Sequence, residues 1–389
     1  MKYKLGDLVN ITSSKRIFYS EYKNNGIPFY RSKEIIEKTK NKNITNELFI
    51  SNEKYKEIEV KYGVPKENDI LMTAVGTLGV VWLVDKHKFY FKDGNLLWIS
   101  NYDSKLSYKY LYYYFNTNEF KNIIDKICIG STQKAITIQE LKKIEIELPE
   151  KETQDKIIKI LDAISNKITL NMHANNNLYE IGKALYKEYF ENEKYTNNYE
   201  IKQLNEVTTN NRNKIDQTKE YKVLSAVNTG NLVLSDDYFD KQVYSKDIGK
   251  YLNVNKNDFA YNPARINIGS IGLNTFDFNC CVSPVYVTFS VDKDYIDFFD
   301  FYFKSKKFNA EVTLRASGSV RQALNYNDFG MIEIPYPTKE MIDKFNSSYK
   351  AIKERINKNK AKISNLEQIR DTLLPKLMNG EIDLDKIEI

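Results

Sequence analysis

The sequence predicts an α+β protein: two similar modules separated by two long antiparallel helices that form a coiled coil, the whole pseudo-twofold symmetric. Three observations carry that expectation. A unit of sequence recurs 188 residues on, each copy is followed by about forty residues without strand patterning, and both of those stretches carry apolar heptads in the same register.

The repeat is clearest late in each copy. Gly130-Ser131-Thr132-Gln133-Lys134-Ala135-Ile136 leads to Ile144-Glu145-Ile146-Glu147-Leu148-Pro149, and Gly318-Ser319-Val320-Arg321-Gln322-Ala323-Leu324 leads likewise to Ile332-Glu333-Ile334-Pro335-Tyr336-Pro337. Towards the amino ends the register drifts, as loop insertions would make it. Asn68-Asp69 answers Asn257-Asp258, and Gly76-Thr77-Leu78-Gly79 answers Gly269-Ser270-Ile271-Gly272.

Taken in order, the first module spans residues 1–149 and mixes apolar segments such as Leu96–Ile99 with Gly and Asn turns, the mark of a sheet-containing α+β domain. The uncharged stretch Ile70–Val84 is too short to cross a membrane and reads as buried strands around a turn. An aromatic helix over Tyr108–Phe120 follows, with its tyrosines in the core rather than in a base-stacking stripe. The first spacer helix occupies 150–191. The second module, 192–337, has a matching strand at Val285–Phe289 and a matching aromatic helix over Asp294–Phe308. The second spacer helix occupies 338–379 and ends at Pro375 and Asn379-Gly380. A tail, 380–389, packs near the first module.

The spacer seams are Ile157, Leu161, Ile164, Ile168, Leu178 and Leu185 in the first helix, and Phe345, Tyr349, Ile352, Ile356, Ile363, Leu366 and Leu373 in the second. Asn171 and Asn359 interrupt them at equivalent places, where a buried polar residue fixes register at a cost in stability; an Asn-rich composition alone would also put them there. About forty residues at 1.5 Å rise make each helix ~60 Å long, so connectivity keeps the modules apart. Two similar readers at a fixed separation suit a long ligand with two sites, of which duplex DNA is the commonest.

Composition narrows the classes further. With 42% hydrophobic and 13% aromatic residues the chain has too much apolar surface to be disordered, and its 389 residues exceed one ordinary core. No secretory signal is visible at Met1–Thr12. The odd set Cys128, Cys280 and Cys281 suggests a reducing, cytoplasmic setting. Two histidines, His87 and His173, and no Cys-x-x-Cys leave no expected metal site. The net charge of +6 is compatible with nucleic acid without proving it.

The duplicated Gly-Ser-x-x-x-Ala-Ile/Leu pattern, the segment Ala184-Leu185-Tyr186-Lys187-Glu188-Tyr189-Phe190 and the ending Leu373-Leu374-Pro375-Lys376-Leu377-Met378-Asn379-Gly380-Glu381-Ile382 resemble the specificity subunit of type I restriction-modification systems. The resemblance covers essentially the whole chain and rests on the order, duplication and spacing of short motifs. It implies that each module is a target-recognition domain for one half of a bipartite double-stranded DNA site. The helices would set the spacing and dock two adenine-N6 methyltransferase subunits. It further implies that this chain binds no cofactor, with S-adenosylmethionine in the methyltransferase partners, and ATP and Mg²⁺ in restriction subunits where a nuclease partner joins.

The residues themselves show no catalytic set. Tyr261-Asn262-Pro263-Ala264 lacks the second proline and the aromatic of an adenine methyltransferase tetrad, and no phosphate-binding loop is present. Triplets such as Glu59-Val60-Lys61 arise readily in a chain with 28% charged residues. A stand-alone nuclease or methyltransferase, and a scaffold that binds no DNA, are the competing classes.

For DNA contact the arginines are informative, because a planar guanidinium can bond guanine bidentately. The candidates are Arg16, Arg31, Arg212, Arg265, Arg315 and Arg321, each of which could instead pair with a carboxylate. Gln133 and Lys134, with Arg321 and Gln322, stand at equivalent places after the two Gly-Ser pairs and suggest a duplicated contact loop. Thr77 and Asn267 complete the set, although tight turns use the same residue types.

Overall fold

The computed structural model describes residues 1–39, 44, 48–129, 134–196, 199–239, 242–315 and 323–386. It divides into unit 1, Met1–Asn171 with Ala361–Ile389, and unit 2, Met172–Lys360. The dividing points fall inside two 40-residue helices, Lys151–Phe190 and Lys339–Met378, so each unit contains one of the two modules and a half of each long helix.

In unit 1 an antiparallel four-stranded sheet has the order Asn10–Thr12, Leu96–Ser100, Ile70–Thr73, Val81–Leu83. Ile70–Thr73 is buried on both faces, as its unbroken apolar run requires. A second sheet has the order Tyr22–Lys23, Phe49–Ile50, Ile27–Tyr30, Tyr90–Phe91, with only the last pair parallel.

Unit 2 repeats the first sheet strand for strand: Thr208–Asn210, Val287–Val291, Phe259–Tyr261, Ile271–Leu273. Its second sheet, Asn231–Leu234, Lys222–Val227, Cys280–Val282, Leu252–Val254, again contains one parallel pair, the middle one. Cys280 and Cys281 are free and buried, which pushes their thiols up to about 11 and about 12. Each unit also closes with a short antiparallel pair that brings its first strand onto the strand before its long helix: Lys2–Lys4 on Glu145–Glu147, and Glu200–Gln203 on Glu333–Tyr336.

The duplication reaches single hydrogen bonds. Asn68 and Asn257 both have positive φ, 76° and 73°, and the aspartate after each is buried. Asp69 Oδ2 accepts from Lys66 N at 2.8 Å and Trp98 Nε1 at 2.8 Å, while Asp258 Oδ2 accepts from Asn255 N at 3.0 Å. Burial raises both carboxyls above their usual range despite these bonds.

Each aromatic helix is two helices, not the single one predicted. Tyr108–Phe115 stops before Asn118–Ile127, and Ile296–Tyr302 stops before Lys306–Arg315. The cause is a hydroxyl at equivalent positions: Thr117 Oγ1 accepts from Phe120 N and Ser305 Oγ from Phe308 N, both at 3.1 Å. The tyrosines lie in the core, with Tyr110, Tyr113 and Tyr114 all buried.

Within unit 2 the two long helices run antiparallel. Tyr189 meets Phe345, Gly182 meets Tyr349, and Asn175 meets Asn359, one number falling as the other rises. Asn359 is buried at 1% exposure and donates Nδ2 to Asn175 Oδ1 at 2.9 Å, leaving its own Oδ1 without a partner among the described residues. The predicted equivalent, Asn171, instead donates to Lys167 O on its own helix at 2.6 Å.

In unit 1 the helix pair packs through Ile157 and Leu161 against the same core as Leu374 and Leu377. The seam there differs from the expectation, since Leu374 is buried and Leu373 only partly. Pro375 also does not end its helix, which continues to Met378 before Gly380 at φ 70°. The proline's carbonyl still takes part, accepting from Asn379 N at 2.9 Å.

Candidate nucleic-acid interface

In each unit the hairpin turn of the first sheet carries the predicted polar residues, and the segment that follows the Gly-Ser motif is bonded to it. Ile136 N donates to Ala74 O at 2.9 Å in unit 1, and Leu324 N donates to Pro263 O at 3.0 Å in unit 2. Residues 136 and 324 are 188 apart, so one contact has been kept in both copies. Ile129 and Ala135 exchange two 2.9 Å backbone bonds, and Ala135 also bridges to Val75. Lys134 is therefore exposed on a segment neighbouring the Thr77 turn. Gln133, Arg321 and Gln322 lie outside the described residues.

Thr73 explains why the unit 1 turn is stiff. Its buried hydroxyl donates to Thr77 O at 2.5 Å and accepts from Val80 N at 3.0 Å, so Thr73 is structural while the half-buried Thr77 gives only its carbonyl to the turn. In unit 2 the corresponding turn closes through Arg265 N to Asn262 O at 2.9 Å, Ile268 N to Arg265 O at 3.1 Å and Gly269 N to Ile266 O at 2.9 Å. Ile266 is fully buried and anchors it, and Gly269 at φ 86° turns the chain where a Cβ would come within 2.9 Å of Asn228 O. Arg265 is exposed on this turn, Asn267 is half-buried, and the helix that ends in Arg315 packs beside them.

The arginines differ in how free their guanidinium groups are. Arg31 is committed locally: its Nη2 meets Glu34 Oε1 at 2.7 Å and its backbone N donates to Glu34 Oε2 at 2.7 Å, with Glu34 buried, an arrangement that caps the helix Ser32–Thr39. Arg315 bonds Glu311 at 2.8 Å and Met331 O at 3.2 Å. Arg16 pairs with Asp93 at 3.0 Å, yet its side chain stays 67% exposed. Arg212 and Arg265 are exposed and form no ion pair among the described residues.

Sequence reasoning missed the large apolar residues that share these loops. Phe18, Tyr19 and Ile268 are exposed at 62%, 91% and 57% beside Arg16 and Arg265. A signal existed in Ile17-Phe18-Tyr19: three successive large apolar residues outside a strand cannot all face one core. Among the described residues no group of three His, Cys, Asp or Glu side chains could hold a metal ion, and no helix is long and apolar enough to cross a membrane. His87 is exposed, with Nδ1 3.0 Å from Asp85 Oδ1. His173 is exposed on the first long helix.

Two like α+β units, each with the segment after its Gly-Ser motif bonded to the turn of its first sheet and each joined to a half of two long helices, define a duplicated α+β protein. Residues 1–180 match the family model described as the type I restriction modification DNA specificity domain. That match covers 180 of the chain's 389 residues.

It is 33% identical over 170 residues to a putative type I restriction enzyme specificity subunit, S.HindORF215P, of Haemophilus influenzae, a match spanning 43% of this chain and 41% of that protein. It is 24% identical over 306 residues to the type I restriction enzyme MjaIX specificity subunit of Methanocaldococcus jannaschii, covering 72% of this chain and 70% of the relative. The crystal structure of a type I restriction-modification system S subunit from M. genitalium superposes with a TM-score of 0.53 at 16% identity, over 97% of this chain and 95% of that one, and so shares its fold.

Proposed function

We propose that this chain is the DNA-specificity subunit of a type I restriction-modification complex. Each unit reads one half of a bipartite duplex site, and the long helices set the gap and dock two adenine-N6 methyltransferase subunits. S-adenosylmethionine belongs to those partners, ATP and Mg²⁺ to restriction subunits where they join, and the setting is cytoplasmic. The observation that carries this reading is the duplicated loop pair, Ile136 on Ala74 and Leu324 on Pro263, which puts exposed Lys134 at one base and exposed Arg265 at the other. Short polar loops with Lys and Arg on a rigid sheet edge are suited to groove contacts.

The competing catalytic reading finds little support at its nearest motif. The Tyr261 ring is fully buried beneath Phe329 and Phe289, Asn262 Oδ1 is used by Ala264 N at 3.0 Å, and Pro263 O is used by Leu324. Those groups are spent on building the turn rather than on holding a flipped adenine. The test is to sequence methylated adenines in DNA from cells with and without the chain. A bipartite motif that vanishes with the chain is expected. Its persistence, or methylation by the purified chain alone, would refute the reading.

A further inference from the structure

Building on that function, we propose that Phe18 and Tyr19 form an aromatic wedge of unit 1 that enters the base stack of the duplex at the half-site this unit reads. Ile17, Phe18 and Tyr19 divide sharply: Ile17 is 2% exposed in the core of the smaller sheet, while the next two rings project into solvent. The backbone under them is pinned. Lys15 N donates to Tyr90 Oη at 2.7 Å, Phe18 N to Glu21 Oε2 at 2.8 Å, and Glu21 N returns to Phe18 O at 2.9 Å. Glu21 is itself held by Lys54 at 3.0 Å, and the Tyr19 ring sits edge-on to Tyr22 at 6.4 Å. Two large rings are thus presented on a stiff turn, which limits the ordering cost of inserting them.

The surroundings indicate what they insert into. Arg16 lies on the same turn, and Lys15 and Lys61 stand 4.9 Å and 5.2 Å over the Tyr62 ring, itself 46% exposed. The nearby carboxylates are paired: Glu21 and Glu57 share Lys54 at 3.0 Å and 3.2 Å, and Asp93 meets Arg16 at 3.0 Å and Lys92 at 3.4 Å. Lys15 and Lys61 have no carboxylate partner among the described residues, so the patch carries surplus positive charge around exposed π faces. A partner that offers flat apolar faces between regularly spaced negative charges matches it, and that is a nucleic acid duplex opened at one base step.

The experiment uses the chain assembled with its methyltransferase subunits and a fluorescent duplex carrying the motif mapped by adenine sequencing. Phe18→Ala with Tyr19→Ala should weaken binding about ten- to a hundred-fold, the scale of lost base stacking. The slope of affinity against salt should stay unchanged, because no phosphate contact is removed. A duplex with 2-aminopurine across the first half-site should brighten on binding the parent complex and not the variant, while Tyr19→Trp keeps the signal. Tyr19→Ala alone should act in the same direction with an unchanged melting temperature, since that ring packs on little.

Unchanged affinity, or a fall in affinity matched by a flatter salt slope, overturns the wedge. Loss of the partner subunits on size-exclusion chromatography would make the patch a protein contact and overturn it too. Failure of the parent complex to bind the mapped duplex would instead sink the functional reading beneath it.

Discussion

Gly182 offers the sharpest test of how the long helices pair within unit 2. A Cβ at this position would lie 2.6 Å from Tyr349 Cε2 and 3.0 Å from Phe301 Cζ. Neither ring can easily retreat. Tyr349 stacks on Phe345 at 5.5 Å with 9° between planes, Phe301 lies edge-on to both of them, and all three are buried.

Gly182→Ala should therefore impose an overpacking cost of about 1–3 kcal/mol, partly offset by the ~1 kcal/mol that alanine gains over glycine inside a helix. The expected net result is destabilisation of up to about 2 kcal/mol. In a Tyr349→Ala background the closer ring is gone and Phe301, at 3.0 Å, has room to shift, so the same substitution should stabilise by up to about 1 kcal/mol. Urea unfolding of the four chains in the double-mutant cycle reads this reversal of sign directly. Stabilisation by Gly182→Ala in the parent chain, equal to that in the Tyr349→Ala background, would show that the helices do not meet at Gly182 and Tyr349.

Other perturbations follow from single contacts. Burial raises the Asp69 carboxyl, so its folded form favours the proton; its stabilising contribution is present below the usual carboxyl range near pH 4 and is lost as pH rises through the raised value. Asp69→Asn, whose Oδ1 can still accept from Lys66 N and Trp98 Nε1, should gain melting temperature relative to the parent as pH climbs from about 4; a growing advantage for the parent would contradict this. Asn175→Leu with Asn359→Leu removes a polar pair in which buried Asn359 keeps one orphan oxygen and should leave unit 2 stability unchanged or raise it by about 1 kcal/mol in urea unfolding, whereas clear destabilisation would mean that the pair is better satisfied than its geometry indicates. Arg265→Ala, and likewise Arg321→Ala, assembled with the partner subunits, should relax methylation at one half-site only, read by adenine sequencing. Arg31→Ala should lower melting temperature and leave the motif intact, because its guanidinium is bound to Glu34.

What could be read from the sequence was what repeats. The long helices show themselves because Phe345 and Tyr349 stand 188 residues after Ile157 and Leu161, and a heptad tolerates any large apolar residue at its seam. The breaks at Thr117 and Ser305 stayed hidden, since the apolar pattern runs straight across a capping hydroxyl and only the backbone geometry shows which side chain has taken the amide. The 338–379 span held although it contains a strong breaker, because Pro375 is absorbed inside a packed helix whose Leu374 and Leu377 are buried on the unit 1 core.

At the interface, residue type identified cations but not their commitments. Arg31 and Arg265 look alike as letters, and one is tied to a buried Glu34 while the other faces solvent. Phe18 and Tyr19 escaped notice because an aromatic in a loop is ordinarily an anchor, and here Ile17 already fills that place.

The most direct measurement of the account as a whole is the adenine-methylation motif of a chain from which one matched heptad has been deleted from both long helices. Each helix then shortens by ~10 Å. Both half-site sequences should persist, with the gap between them reduced by up to about three base pairs. Altered half-sites at an unchanged gap would contradict a protein whose loops read the bases and whose helices measure the distance.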